Sequence, residues 1–378
     1  MVAELDGREG RDHDWSDTPP GSRYPLLKGK GGETIIRSRI VRTPRLRQHI
    51  YESGPATGET LVLIHGNMSS GRFFEELMAA LPEYHIIAPD LRGYGATEPL
   101  PTNAARGVRD YSDDIHALAR ALRLGRFHLL GWSLGGVITM QYLLDHPQQV
   151  RTLTLHATGS PYGYGGTRDA EGTPNFPDCA GSGGGLVYSQ VAERFGAGDT
   201  TARSPFTARY SLRNVVVRPS FRFTAEREDI LVEQMLMMRI GEQHYPGDKV
   251  ASPNWPYVAP GVYGPNNALS PRYLNLAPLG EMRDGPPVLW VRGGDDVMVS
   301  DTAQLDPAVL GRYAMIRGWP GRHIFPAQPM LAQIRTLLDR YASNGGAYRE
   351  VVLRNCGHAP MLEQPEQFLT HLRALLAE

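Results

Sequence analysis

Apolar residues along this chain follow two alternating periods. "TIIRSRI" and "LRQHIYES" read as paired strands, and "TLVLIHG" and "YHIIAPD" as buried strands separated by an amphipathic helix from Phe73 to Leu81. Tyr111, Ile115, Leu118 and Leu122 then share one helix face. "FHLLG", a helical run carrying Val137, Ile138, Tyr142 and Leu143, and "VRTLTLHA" continue the rhythm. Such alternation predicts the α/β class, with a mostly parallel sheet, helices on both faces and an N-terminal pair open to an antiparallel arrangement. From about Pro161 to Pro286 the rhythm breaks into the Gly-rich stretch "YGYGGTRDAEGTPNFPDCAGSGGG", a helix predicted over Glu226 to Ile240, and Pro- and Asn-rich loops. It resumes with "PVLWVRGG", a helix from Met330 to Tyr341, "YREVVLRNCGH", and a last helix from Pro365 with Phe368, Leu369, Leu372 and Leu376 on one face. The expected organisation is a mobile tail over 1–30, a core in two parts over 31–160 and 287–378, and an insertion over 161–286.

Composition narrows the partners. The 378 residues are 41% hydrophobic and 21% charged with a formal net charge of -1, which gives no electrostatic case for nucleic acid or an anionic membrane and favours a small-molecule ligand. The first residues are polar without an apolar h-region, and no run approaches about 18 consecutive apolar residues, so a cytoplasmic location is expected. Two cysteines, Cys179 and Cys356, rule out a disulfide framework. The 12 histidines include no H-E-x-x-H and no paired spacing with cysteine, so no metal is expected. Nothing in the sequence sets the oligomeric state.

Candidate chemistry centres on "LLGWSLGG". Ser133 stands where a short buried strand switches abruptly into a helix, in the pattern Gly131-Trp132-Ser133-Leu134-Gly135. A serine on so tight a turn projects its hydroxyl outward, and the helix starting beside it offers free N–H groups and a positive dipole end. Serine needs a base, and the base needs an acid. "VLIHGNMSS" ends a buried strand at His65-Gly66, so the Asn67 amide can join that of Leu134 as an oxyanion hole. "VLWVRGGDDVMVS" ends another with Asp295 and Asp296, and "VVLRNCGHAPMLEQP" ends the last with His358. All lie at carboxyl ends of strands, where open α/β sheets place their sites.

In order along the chain, His65-Gly66, Asp90-x-Arg92-Gly93-x-Gly95, the Ser133 elbow, an acid after the strand ending near Val291, and Gly357-His358 resemble the α/β-hydrolase superfamily, its serine-nucleophile branch with an inserted cap. The resemblance covers nearly all the chain except the tail and the insertion. It implies the α/β-hydrolase fold and selects Asp296 over Asp295, because the family's acid stands three residues after a glycine and precedes a short apolar run, here Gly293-x-x-Asp296-Val-Met-Val. Some relatives carry the acid after the sixth strand, but "LHATGS" offers none there. Asp90 and His65 are then structural residues of the cleft loops. Met68, Trp132 and Tyr162 are candidates to line the substrate pocket, Trp132 equally as a packing residue. The insertion is expected to form a cap over the cleft, with Trp319 or Phe325 of "LGRYAMIRGWPGRHIFPAQPM" adding to it.

The resemblance implies a Ser133–His358–Asp296 triad acting through an acyl-enzyme on a neutral, fairly apolar carboxylic ester or lactone. "HGNMSS" is similar to the corresponding stretch of haloalkane dehalogenases, but those carry Asp at the elbow, whereas serine suits attack on a carbonyl. Carbon–carbon bond hydrolysis, perhydrolysis, acyl transfer and receptor-like ligand binding share the triad and stay open as alternatives.

Overall fold

The structure, a computed structural model, describes residues 35–378; the tail expected over 1–30 lies outside them. Strands β1 (Arg37–Arg42) and β2 (Arg47–Ser53) pair antiparallel, and β2 also runs antiparallel to β4 (His85–Pro89). From there the sheet is parallel: β4 beside β3 (Thr60–Ile64), then β5 (Phe127–Trp132) and β6 (Val150–His156). The two short strand pairs of the insertion are β7 (Ile240–Gly241) with β8 (Tyr245–Pro246) and β9 (Lys249–Ala251) with β10 (Val258–Pro260). The main sheet resumes at β11 (Val288–Gly293) and ends at β12 (Tyr348–Leu353), giving the order β1-β2-β4-β3-β5-β6-β11-β12. The predicted fold class is therefore the observed one.

Helices α1 (Glu75–Ala80), α2 (Arg109–Ala121) and α3 (Leu134–Asp145) connect the first parallel strands. All six residues of β5 are buried, as are Leu134 to Leu143 in α3, so the strand–helix unit carrying Ser133 lies within the main core. A strand buried on both faces reads as a continuous apolar run, which is why "FHLLG" stands out in the sequence.

Between β6 and β11 the insertion holds α4 (Ser189–Gly196), α5 (Ala208–Ser211), α6 (Ala225–Leu236) and α7 (Pro265–Ala268). The helix expected to reach Ile240 stops at Leu236, and Ile240 instead opens β7. α6 is anchored to the core by charge: the buried Arg227 guanidinium donates to Glu75 Oε2 at 2.8 Å and to the Arg72 carbonyl at 3.1 Å, and Arg72 Nε donates to Glu75 Oε1 at 2.7 Å. Deleting one member of such a buried set leaves an uncompensated charge, a cost of about 3–5 kcal/mol.

The segment between α8 (Pro307–Arg312) and α9 (Met330–Ser343) packs against the insertion. Phe325 is fully buried, edge-on to Trp255 at 4.8 Å and 5.9 Å from Phe176, and with Ala308 these form a small core separate from the main one. Trp319 Nε1 donates to the Phe325 carbonyl at 2.9 Å. Gln328 and Gln333 tie the same segment to the first loop of the insertion through Gly163, Gly165, Thr167 and Ser160. Last come α10 (Pro360–Glu363) and α11 (Pro365–Leu376), whose Phe368, Leu372, Leu375 and Leu376 face the core while Leu369 is half-buried.

Among the described residues no helix is long and apolar enough to cross a membrane.

Candidate active site

Ser133 adopts φ 57° and ψ -117°, a conformation that costs a non-glycine residue about 1–3 kcal/mol unless its surroundings hold it there. They do. Its N–H donates to the His156 carbonyl at 3.0 Å, and its own carbonyl accepts from Gly136 at 3.0 Å and Gly159 at 3.3 Å. The turn also needs space: a Cβ on Gly135 would overlap the carbonyls of Ile64 and His65, and one on Gly66 would stand 3.0 Å from the Ser133 Cβ. β3 and the elbow thus approach each other closely. Leu134 is the first residue of α3, so its N–H has no intrahelical acceptor.

The ends of β11 and β12 are tied together by Gly294 N–H donating to Leu353 O at 2.8 Å and Asp295 N–H donating to Cys356 O at 2.9 Å. In that frame Asp296 Oδ2 and His358 Nδ1 lie 2.7 Å apart, with side-chain exposures of 2% and 4%. Asp296 Oδ1 accepts from the amides of Met298 at 2.8 Å and Val299 at 3.0 Å, so both its oxygens are engaged. The neighbouring Asp295 points elsewhere: half its side chain is exposed, and it pairs with Arg218 Nε at 3.0 Å. Adjacent side chains at a strand end diverge, and only one of them reaches the imidazole. Among the described residues no hydrogen bond joins the Ser133 hydroxyl to that ring. Contacts of this kind commonly tighten only when substrate binds.

Trp132 lies behind the elbow, 2% exposed, stacked on Phe73 at 5.5 Å, and its indole N–H donates to the His358 carbonyl at 2.8 Å. It is placed to hold the histidine loop rather than to line a cleft. Met68 is half-buried with φ 51°, and its sulfur accepts from the Tyr245 hydroxyl at 3.6 Å. Tyr162 is buried in the first loop of the insertion, packed against Gly172.

Asn67 is held on three sides. Its Oδ1 accepts from the Tyr94 hydroxyl at 2.5 Å and the Met68 amide at 3.2 Å, while Nδ2 donates to Asn266 Oδ1 at 2.7 Å. His65 is structural: Nδ1 meets the Gly66 carbonyl at 2.7 Å, and Nε2 accepts from the Leu91 amide at 3.0 Å. Burial lowers its pKa and keeps it neutral, which fits that acceptor role. Asp90 accepts from the amides of Gly71 and Ala96 and pairs with His49 at 2.8 Å. Burial alone would raise its pKa, but the His49 hydrogen bond and charge outweigh that and lower it. Burial pushes the Cys356 thiol up, so it is a small buried residue and no thiolate.

Two residues that the sequence did not single out touch this site. Glu363 in α10 accepts from Gly357 N–H at 2.8 Å and Arg218 N–H at 3.0 Å, fixing the loop before His358. An acid five residues after a candidate histidine, at the first helical turn, was the available signal. His156 is fully buried, 4.7 Å from Phe368 and 6.2 Å from Trp132 between ring centroids, and among the described residues neither ring nitrogen has a hydrogen-bond partner. Burial, then the proximity of His358, pushes its pKa well below the usual imidazole value. No group of three or more His, Cys, Asp or Glu side chains suited to a metal occurs among the described residues.

A protein-family profile described as alpha/beta hydrolase fold matches residues 59–177. Over 122 residues the chain is 32% identical to Lipase 3 of Moraxella sp. (strain TA144), covering 32% of this chain and 38% of that protein. The chain thus spans well under half the length of the curated relatives it matches. The esterase RhEst1 from Rhodococcus sp. ECU1013 superposes with a TM-score of 0.57 at 19% identity, over 91% of this chain and 98% of that one. The esterase EaEST from Exiguobacterium antarcticum gives 0.56 at 16% identity, over 90% and 99%. These superpositions cover far more of the chain than the matched residues 59–177, and what they share is the fold.

Proposed function

We propose that the chain is a serine hydrolase of the α/β-hydrolase superfamily, acting on a neutral, fairly apolar carboxylic ester or lactone without a cofactor. His358 takes the proton of Ser133 as its oxygen attacks the acyl carbon, and Asp296 holds the imidazole in the needed tautomer and stabilises the imidazolium. The amides of Asn67 and Leu134 receive the developing oxyanion. Collapse breaks the bond to the leaving oxygen, which takes the proton from His358. Water, deprotonated in turn by His358, then attacks the acyl-enzyme, releasing the acid and restoring Ser133.

One observation carries this proposal: a buried carboxylate 2.7 Å from His358 Nδ1, on strand ends beside a serine held at φ 57°. Met68 and Tyr245 next to the oxyanion loop favour an apolar acyl group. The decisive experiment is a fluorophosphonate probe followed by peptide mapping, run beside turnover of p-nitrophenyl esters of increasing acyl length. Labelling at Ser133 with ester turnover is the expected result; an unlabelled, inactive folded protein would overturn the proposal.

A further inference from the structure

A net charge of -1 hides a strongly uneven distribution. From Pro307 to Leu338 the chain contains no Asp or Glu, yet carries Arg312, Arg317, Arg322 and Arg335 together with His323. The first three arginines are exposed, and among the described residues none has a carboxylate within ion-pair distance. Interleaved with them are large apolar side chains facing solvent: Tyr313 is 71% exposed, Met315 63% and Ile324 49%. Tyr257 of the insertion, 60% exposed at φ 68°, adjoins them, its hydroxyl 3.7 Å from where a Cβ on Gly318 would stand.

These residues are held together by the small core beneath. Trp255 Nε1 donates to the Arg317 carbonyl at 2.9 Å, Trp319 Nε1 to Phe325 O at 2.9 Å, and the Arg168 guanidinium reaches Ile324 O at 3.4 Å. The exposed side chains therefore rest on fixed backbone. Exposed aromatic and aliphatic groups interleaved with cations of one sign match one kind of surface, an apolar layer beneath anionic headgroups. A second copy of the chain matches poorly. A two-fold contact would press this patch, cations included, against an identical cationic patch.

We infer that Tyr257, Tyr313, Met315 and Ile324, together with the three arginines, form a docking surface for an anionic lipid bilayer. The arginines lie against the headgroups and the apolar side chains enter the acyl boundary. This revises the expectation from overall charge, because attraction within a Debye length of about 8–10 Å depends on local rather than summed charge.

The test uses the full chain carrying Ser133→Ala, so that binding is read without lipid turnover and independently of whether the hydrolase proposal holds. Flotation is measured with vesicles of phosphatidylcholine alone and of phosphatidylcholine with about a quarter phosphatidylglycerol. The chain should float with the anionic vesicles only, and less so as salt rises. Each arginine near such a surface is worth about a fivefold factor, so Arg312→Gln, Arg317→Gln and Arg322→Gln together should weaken binding on the order of 100-fold. Met315→Ser with Ile324→Ser should weaken it at least about tenfold. Both variant sets lie on the surface and should melt within a few degrees of the parent, which separates lost docking from lost folding. The inference fails if the chain ignores anionic vesicles, if it binds neutral ones equally, or if neither variant set changes binding. It fails equally if sedimentation shows a dimer that Met315→Ser with Ile324→Ser dissociates.

Discussion

The indole N–H of Trp132 donates to the carbonyl of His358 across 2.8 Å, so the residue before the candidate nucleophile holds the backbone of the candidate base. The two loops come from different strands, and this bond is what registers one against the other. Trp132→Phe keeps most of the stacking on Phe73 and removes the donor. Stability should fall by about 1–3 kcal/mol, because a buried carbonyl loses its partner. On a p-nitrophenyl ester kcat should drop about tenfold or more with KM nearly constant, as displacement of a base does not alter substrate contacts. A stability loss with unchanged kcat would reduce Trp132 to a packing residue.

The strain at Ser133 gives the elbow a second signature. Ser133→Ala should cost at least about three orders of magnitude in kcat, since the triad acts as a unit. Ser133→Gly should be as inactive yet more stable than the parent in urea, because glycine adopts φ near 57° without penalty. A glycine variant less stable than the alanine one would show that the turn stores no strain.

Asp295 and Asp296 differ in what they touch, and their amides should differ accordingly. Asp296→Asn should lower kcat on the order of 10⁴ by presenting the wrong tautomer to His358. Asp295→Asn loses a half-exposed pair with Arg218 and should change kcat by no more than about threefold. The ratio of the two kcat values on folded protein at one pH decides; a reversed ratio would move the acid by one residue.

His156 predicts a dependence of stability on acidity. Its folded-state pKa is pushed well below the unfolded value, first by burial and then by His358. Below about pH 6.5 the unfolded chain takes up a proton that the folded chain refuses, so stability falls as pH drops, by about 1.4 kcal/mol per pH unit for this site. His156→Phe, an apolar ring beside Phe368 and Trp132, should therefore stabilise the protein more at pH 5 than at pH 8 in parallel urea titrations. An equal effect at both pH values would exclude the ring as a source of acid sensitivity.

Legibility in the sequence followed burial and period. β5 and β11 are continuous apolar runs, and α9 and α11 are long enough to show a face, so their places in the sheet could be read directly. Ser133, Asp296 and His358 could be picked out as candidates because each follows closely on the end of a predicted strand. Of the insertion only α6 could be read. Its helices α5 and α7 have four residues each and its strands two or three, too few for any period to emerge, and Gly163, Gly165, Gly166, Gly181 and Gly183 bend its first loop through positive φ. The hydrogen bond of Trp132 and the setting of His156 were hidden for another reason. Both depend on partners more than two hundred residues away, His358 and Phe368, which only the pairing of β5, β6, β11 and β12 brings near.

Asn67 Nδ2 donates to Asn266 Oδ1, and α7, which carries Asn266, belongs to the insertion. The insertion is thereby bolted to the loop proposed to polarise the substrate carbonyl. Protein engineers who exchange this insertion for another, seeking a new substrate range, would also be altering what holds that loop. A graft that keeps Asn266 in register should preserve turnover number while altering selectivity, whereas one that discards it should blunt both.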